Sequence, residues 1–582
     1  MDFSSRYYTP GVYTEDEGGP QLQVQTSVPT AVAIFGLSVG YRTHRQSLRI
    51  NPDTRDAVTN DEVPAINEPL KRSGAKVITT LPKVVVVSNV DVAAPTTSTF
   101  TGVNPAVTDP DDEDFGSPTA QVTLQNDDLL YLDGQTNSTQ NGLYRFNVTT
   151  TTGSSPTTTR SLTRVVDTFR VVNPSTGEPY VNGRDYTIHR LGVGDDLSPG
   201  TRDDTYTVRR VISPASLLEE GDVPTVVYNY TDVGYHQPKV LYDYDDIRDI
   251  YGSPFSSDGT IRSELTLAAK IAILNGATTV ITCAVDPDER NEDGTTKAIS
   301  DCYQSALNRL RNEGQIAVVV CASGDQDYHD MIKSHVTFQS GERYERRAVI
   351  GIDGSGDGNL VETSERITAA QTLASKRVAL VSPTRFWHFA PELNKRIVLG
   401  GQFVAAAVAG RSVSLPPAMP LTRKAINGFV GPDEFMDEGQ KDLESQNGLL
   451  VVEKTRRNQV QVRHGVTTDP TDLLSREWSI TGQQDVMIYR VRDYLEADGL
   501  IGMPVYDTTL IQVKASAEAA LSSLERDGVI VSYRNLKVRQ LATMPDVVEV
   551  RYEWQPAYPL NYILVRYSVA VMSGDVTVSE DV

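Results

Sequence analysis

The chain contains little cysteine and little positive charge for its length. Its three cysteines among 582 residues are an odd and sparse set, which excludes a disulfide framework and fits a reducing compartment. The 54 Lys and Arg residues are outnumbered by 76 Asp and Glu residues, which gives a formal net charge of -22. Because non-specific binding to nucleic acid depends on neutralising phosphates with basic side chains, we expect no direct nucleic-acid partner.

Long apolar runs are missing as well. No run approaches the length of a membrane-spanning helix, and Met1 to Pro20 lacks the basic, apolar and small-residue layout of a secretion signal. We therefore expect no direct membrane insertion, and we expect the protein to be made and assembled in the cytoplasm.

The central part, residues 223–430, predicts an α/β domain with a mostly parallel sheet. Short continuous apolar runs are typical of strands covered on both faces, and they occur at Thr278–Ala284, Gln315–Cys321, Arg347–Asp353 and Arg377–Ser382. Helical patterns separate these runs at Ile299–Arg311, Tyr328–Val336 and Glu365–Ser375.

Signals of catalysis and ligand binding are sparse in this α/β domain. No Gly-rich phosphate loop follows the strand that ends at Ala284, although ligands bind such sheets at the carboxyl ends of strands. Cys321 could be a nucleophile with His329 or His335, but a cysteine inside an apolar run behaves more often as a small buried hydrophobe. We predict no catalytic residue, no metal site and no cofactor.

The N-terminal half predicts an extended arm and an insertion. Within residues 1–36, an arm precedes an apolar strand; Gly18, Gly19 and Pro20 break regular structure, and apolar residues follow at Leu22, Val24 and Val28. Residues 37–222 are rich in β and turn signals and predict one or two inserted β-rich domains.

The C-terminal part, residues 431–582, predicts an α+β domain. Ile488, Val491 and Leu495 define one helix, and a second helix begins near Asp507 and ends before Gly528. The period then changes to two, which predicts a strand with apolar residues at Val548, Val550, Tyr552 and Trp554. After Pro556 and Pro559 comes a last strand, either closing its own sheet or donated to another chain, with apolar residues at Ile563, Val565, Tyr567, Val569 and Val571.

The two ends of the chain resemble contractile phage tail sheath proteins. The C-terminal domain of that family has a similar order of elements: two helices and a strand, followed by the segments Val547–Gln555 and Ile563–Val571. At the other end, Pro10–Glu15 has the sequence Pro-Gly-Val-Tyr-Thr-Glu and is followed by the apolar run Val28–Gly36, as in the family's opening segment. The Trp-x-Ala-Pro-Ala-Asn form that many members carry at the join into the C-terminal domain is absent.

The resemblance implies a structural subunit that polymerises as stacked helical rings around a tail tube and contracts to drive the tube through the host envelope for genome delivery. Implied partners are further copies of the chain, in hexameric rings, together with the tail tube protein, the baseplate and the tail terminator. Two alternatives remain open: the sheath of a bacterial contractile injection system, and an α/β enzyme with β insertions.

Strand exchange between subunits is the mechanism we expect. The N-terminal arm at Leu22, Val24 and Val28 and the C-terminal arm at Ile563–Val571 would pair with a neighbour's sheet at Val548–Trp554. Flexible residues beside the arms would act as hinges, at Gly18, Gly19, Pro20, Pro556 and Pro559.

Overall fold

The computed structural model describes residues 28–567, apart from residues 41, 48–75, 79–83, 87–89, 93, 103–119, 127, 134, 138–139, 151–157, 165–168, 183, 193–204, 211–215, 219–221, 232–233, 257–258, 288, 290, 292–296, 357–360 and 498. Seven predicted site residues lie outside the described residues: Gly18, Gly19, Pro20, Leu22, Val24, Val569 and Val571.

The chain forms a mixed α/β structure with several sheets. In chain order, its strands are β1 Ala31–Gly36, β2 Arg42–Ser47, β3 Lys76–Ile78, β4 Val84–Val86, β5 Thr99–Gly102, β6 Ala120–Thr123, β7 Leu129–Leu132, β8 Gly142–Thr150, β9 Thr158–Arg164, β10 Phe169–Val172, β11 Tyr186–Gly192, β12 Thr205–Arg210, β13 Thr225–Thr231, β14 Lys239–Leu241, β15 Val280–Ala284, β16 Ile316–Cys321, β17 Arg347–Gly351, β18 Val378–Ser382, β19 Arg385–Ala390, β20 Lys395–Gly400, β21 Phe429–Pro432, β22 Leu449–Lys454, β23 Val460–Val462, β24 Ile530–Leu541 and β25 Met544–Pro556. The helices are α1 Tyr244–Tyr251, α2 Glu264–Leu274, α3 Ile299–Arg309, α4 His329–Gly341, α5 Thr363–Leu373, α6 Gly401–Val413, α7 Glu438–Gln446, α8 Leu473–Arg476, α9 Trp478–Ala497 and α10 Asp507–Arg526.

These elements form two compact units. The first contains the described residues within 1–38, 236–248 and 253–582, and the second contains those within 39–235 and 249–252. The domain limits predicted from the sequence, at residues 36, 222 and 430, stay predictions.

An eight-stranded sheet forms the centre of the first unit, in the order β14-β15-β1-β16-β17-β18-β22-β23. The inner strands from β15 to β22 run parallel, and each edge strand pairs antiparallel with its neighbour. All residues of β1 are buried, as a strand covered on both faces requires. The parallel strands predicted between residues 278 and 382 are therefore confirmed as β15 to β18.

Helices cover both faces of this sheet. On one face, Phe35 and alternate residues of the neighbouring strands pack against buried side chains of α3, α4 and α5. On the opposite face α6 contacts β1, β16, β17 and β18, and its residues Gly401 to Gly410 are all buried. Gly410 lies directly against the Ala272 carbonyl of α2, where a Cβ atom would come within 2.2 Å of the oxygen, so only glycine permits this approach of the two helices.

The second unit consists of small β-sheets, as the predicted β-rich insertion requires. Strands β4, β7, β8 and β9 form one sheet around a core that contains Leu130, Leu132 and Phe146, and β2, β3, β10 and β13 form another.

The C-terminal part of the first unit contains α9, α10 and the hairpin of β24 and β25. Both helices predicted here are present, and Gly528 takes a left-handed φ of 70° directly after the C-cap of α10. Arg492 lies off the apolar stripe of α9 and is nevertheless fully buried. The reason is that α9 has a second contact face, along which Arg492 pairs with Glu345.

Candidate functional site

The hairpin of β24 and β25 presents one apolar and one charged face. Val550, Tyr552 and Trp554 of β25 pack half-buried against α9 and α10, as the period of two predicts. On the other face Arg534 pairs with Glu553 at 2.7 Å, and Glu549 bonds to Arg539 and Arg551. No other strand in the described part of the chain pairs with this two-stranded sheet, so neither of its outer edges carries a third described strand.

An apolar arm follows the hairpin. Within residues 557–567, which form no helix or strand, seven large apolar side chains are between 51% and 86% exposed: Tyr558, Leu560, Tyr562, Ile563, Leu564, Val565 and Tyr567. The described part of the last predicted strand therefore does not close its own sheet. A continuous exposed apolar segment of this kind marks an interaction surface.

The first residues of this arm, Ala557–Tyr562, are bonded to the body of their own subunit; we call them the arm root. Gln483 of α9 is fully buried, and its side-chain amide makes two bonds to one residue of the root. Its Nε2 donates to the Ala557 carbonyl at 3.0 Å, and the Ala557 N–H donates to its Oε1 at 2.8 Å.

A second group of contacts holds the far end of the arm root. The Asn561 amide Nδ2 donates to Oε1 of Glu477 at 3.1 Å, and Asn561 Oδ1 accepts from the Thr422 hydroxyl at 3.2 Å. The Glu477 side chain is buried, and its Oε1 also bonds to His464 and Arg476. The Tyr562 ring meets the His464 ring edge-on at 6.2 Å between centroids.

Buried ion pairs join α9 to the central sheet. Arg492 and Glu345, both with side chains 0% exposed, meet at 2.6 Å. About two turns earlier in α9, Asp485 accepts a hydrogen bond from Arg377 at 2.9 Å, and its carboxylate lies 3.4 Å from the Arg347 guanidinium.

The Arg347 guanidinium also stacks 4.4 Å from the Trp478 ring centroid. Burial lowers the pKa of Arg347 to about 10, against the opposing attraction of Asp485. Because breaking a buried pair leaves an uncompensated charge, these contacts hold α9 against the sheet.

The predicted hinge and N-terminal residues have clear positions where they are described. Pro556 is the buried last residue of β25, and Pro559 is half-buried within the arm root. Val28 is half-buried and precedes β1. No sequence pattern indicates Gln483, Glu477 or Asn561, since an amide or carboxylate on a helix or loop carries no pattern that shows what it will bind.

The carboxyl ends of the parallel strands, where an enzyme would bind its ligand, carry an acidic groove. This groove of about 500 Å³ is lined by Glu264, Asp325, Asp353 and Glu365, among others. Burial, and then the charge of Asp353, raise the pKa of Glu264 to about 7. Among the described residues there is no group of three or more His, Cys, Asp or Glu side chains that could hold a metal ion.

The cysteine and histidine candidates in this region are buried side chains. Burial raises the pKa of the Cys321 thiol above its ordinary value, so its nucleophilic thiolate form is disfavoured. Burial lowers the pKa of His329 to about 4, and burial together with the neighbouring Arg346 lowers that of His335 to about 3. No helix in the described part of the chain is long and apolar enough to span a bilayer.

A mixed α/β body with an open two-stranded sheet and an exposed apolar arm defines a structural protein built for assembly. The chain is 48% identical to the tail sheath protein of Mycobacterium phage Bxz1 over 594 aligned residues, which cover 99% of this chain and 98% of that protein. It is 27% identical to the tail sheath protein of Bacillus phage SP01 over 292 residues, which cover 50% of this chain and 48% of that protein.

Similarity to solved structures is low. The sheath tail protein from Listeria innocua matches at 13% identity with a TM-score of 0.41, over 55% of this chain and 89% of that chain. No family model matches the chain. Because it is 48% identical to the Bxz1 protein over nearly the full length of both chains, the chain belongs to the tail sheath protein family. It is a structural subunit of a virion tail and not an enzyme, so the alternative of an α/β enzyme was wrong.

Proposed function

We propose that this subunit polymerises as stacked helical rings around a tail tube and that contraction of the polymer drives the tube through the host envelope for genome delivery. The observation that carries the proposal is that one subunit has both an exposed apolar arm and a two-stranded sheet to which no third described strand is paired. A donor and an acceptor on the same chain make a heterologous contact. When such contacts do not close within one ring, they propagate as a helix.

Strand addition is the proposed joint between subunits. Residues Ile563–Val571 of one subunit, and the N-terminal arm at Leu22, Val24 and Val28 of another, would pair with a neighbour's β24–β25 hairpin near Val548–Trp554. Main-chain hydrogen bonds hold the added strand, and alternate apolar side chains give it a fixed face. No third described strand pairs with this sheet, which supports the arrangement because the unpaired main-chain groups of its outer strands would bond to added strands.

The proposed mechanism needs strong joints and rigid bodies. The ion pairs that fix α9 to the central sheet support a body that moves as one piece, with the change of angle absorbed in flexible residues beside the arms. The sequence predicts these hinges at Gly18, Gly19, Pro20, Pro556 and Pro559. No nucleotide is required, because the work comes from passage between a metastable extended packing and a better-buried contracted one.

The proposed partners follow from the family. We expect hexameric rings of this chain, a tail tube protein in contact with the C-terminal α+β domain, a baseplate that triggers contraction, and a tail terminator. We also expect assembly in the host cytoplasm. The residues 37–222 insertion would face solvent in the polymer, since insertions of irregular length are tolerated there.

Truncation tests the proposal. A chain that ends after Tyr562 lacks the donated strand but keeps the arm root, and we expect a folded subunit that forms no sheath by electron microscopy. The matched control ends after Met572, which removes only the acidic tail and keeps Ile563–Val571, and it should assemble. Normal sheaths from the shorter chain would refute strand donation by the C-terminal arm.

A further inference from the structure

The contacts of the arm root divide the C-terminal arm into a held part and a free part. On either side of Pro559, Ala557 is bonded to Gln483 of α9 and Asn561 is bonded to the Glu477 carboxylate. Among the described residues after Tyr562, which are 563–567, there is no hydrogen bond or ring contact to the body of the subunit, and Ile563, Val565 and Tyr567 are 77%, 75% and 86% exposed.

The bonds at the root are of the kind that fixes backbone. The Gln483 amide satisfies both the N–H and the carbonyl of Ala557, so it sets the position and direction of the chain at that residue. Asn561 uses both ends of its side-chain amide, one on the Glu477 carboxylate and one on the Thr422 hydroxyl. Bonds to a charged group are among the stronger ones in proteins.

We propose that Gln483 and Glu477 form a latch that keeps the arm root on its own subunit, so that the exchanged arm pivots after Tyr562 and not at Pro556 or Pro559. The inference rests on the proposed function, because it assumes that the strand beyond Tyr562 is donated to a neighbour. The latch determines how far the arm reaches. Releasing residues 557–562 would lengthen the free arm by roughly 20 Å when extended, and the spacing between linked subunits would no longer be fixed.

Hydrogen exchange on the full-length chain tests the latch directly. In the unassembled subunit, at a concentration below polymerisation, we expect slow exchange of the Ala557 amide and fast exchange of amides 564–567. In the assembled sheath the root should stay protected, and the amides of the arm should become protected for the first time. Gln483→Ala should speed exchange at Ala557 roughly tenfold.

Gln484→Ala is the matched control, because it removes the same amide from the next position of α9, and it should leave exchange at Ala557 unchanged. Asn561→Asp is a second variant that changes only a half-buried loop side chain and sets a carboxylate against Glu477. By loosening the far end of the root, it should speed exchange of the Ala557 amide without lowering the melting temperature of the subunit by more than a few degrees.

Three outcomes would overturn the latch: fast exchange of Ala557 in the native subunit, equal effects of Gln483→Ala and Gln484→Ala, or loss of root protection on assembly. Failure of the proposed function is a separate result. If the chain that ends after Tyr562 forms normal sheaths, the arm is not the link, whatever the exchange of the root shows.

Discussion

The apolar face of the C-terminal arm offers a sharp test of the joint between subunits. In an added strand, Val565 lies on the same face as Ile563 and Tyr567, whereas Leu564 lies on the opposite face with Arg566. Val565→Asp and Leu564→Asp therefore add the same charge one residue apart, on different faces. Only the first should impair assembly strongly.

The expected effect of Val565→Asp on polymerisation follows from the exposed apolar surface of the arm that is available for burial. Val565 is 75% exposed in the subunit, so most of its side chain is still available for burial. Burying such a side chain contributes roughly 1.5 kcal/mol, and an unpaired polar group in its place costs about 2 kcal/mol more. The sum, roughly 3.5 kcal/mol, corresponds to at least a hundredfold rise in the concentration needed for polymerisation. Leu564→Asp, on the opposite face, should change that concentration only about twofold.

The assay is the critical concentration for polymerisation, measured by sedimentation and checked by negative-stain electron microscopy. Circular dichroism and the melting temperature of the unassembled variants control for folding, and neither should change, since both side chains are exposed in the subunit. Equal critical concentrations for the two variants would refute the reasoning, because the arm would then have no buried face.

Three further predictions concern the body of the subunit. Arg492→Met should lower the free energy of unfolding by roughly 3 to 5 kcal/mol in denaturant titrations, because it leaves Glu345 buried without its partner; the double variant with Glu345→Leu should recover part of the loss. The folded pKa of Glu264, about 7, lies above its ordinary 4.5, so stability should fall as the pH rises from 4.5 to 7, by at most roughly 3 kcal/mol, and Glu264→Gln should remove this fall in a pH series of thermal melts. The three buried cysteines should resist alkylation in the native subunit and react in denaturant, as mass spectrometry would detect; rapid alkylation of the native protein would contradict their burial.

The elements of the central sheet could be predicted from local sequence, but their order could not. Continuous apolar runs indicate strands β15 to β18 because each run is buried on both faces. Nothing local shows that β1 inserts between β15 and β16, or that β22 joins the same sheet beyond β18. Such pairings join segments far apart in sequence, and they depend on how whole elements pack.

The apolar face of the arm could be predicted from the sequence, but the contacts of the arm root could not. A period of two predicts the apolar face of Ile563–Val571 from the sequence alone, and the exposure of Ile563 and Val565 agrees with a strand that is not used within the subunit. Gln483 and Glu477 carry no comparable pattern. Their role arises only when α9 is fixed against the sheet and its buried polar groups face the chain that leaves β25.

The N-terminal arm and the C-terminal arm root meet the body of the subunit near the same end of the central sheet. Ala31, the first residue of β1, donates to the Gln315 carbonyl just before β16, so the N-terminal arm enters at the amino ends of the parallel strands. The first turns of α9 lie at the same edge, because Asp485 pairs with Arg347 at the start of β17 and with Arg377 just before β18.

Gln483 of the same helix binds Ala557, the first residue of the C-terminal arm after β25. Strands β1 and β17 are two positions apart in the sheet, which corresponds to roughly 10 Å. Under the proposed strand exchange, a rigid sheet that holds both of these points near the amino ends of its strands would displace the two arms together when the subunit turns. A rotation that begins at one end of the polymer would then pass from subunit to subunit without deforming the body.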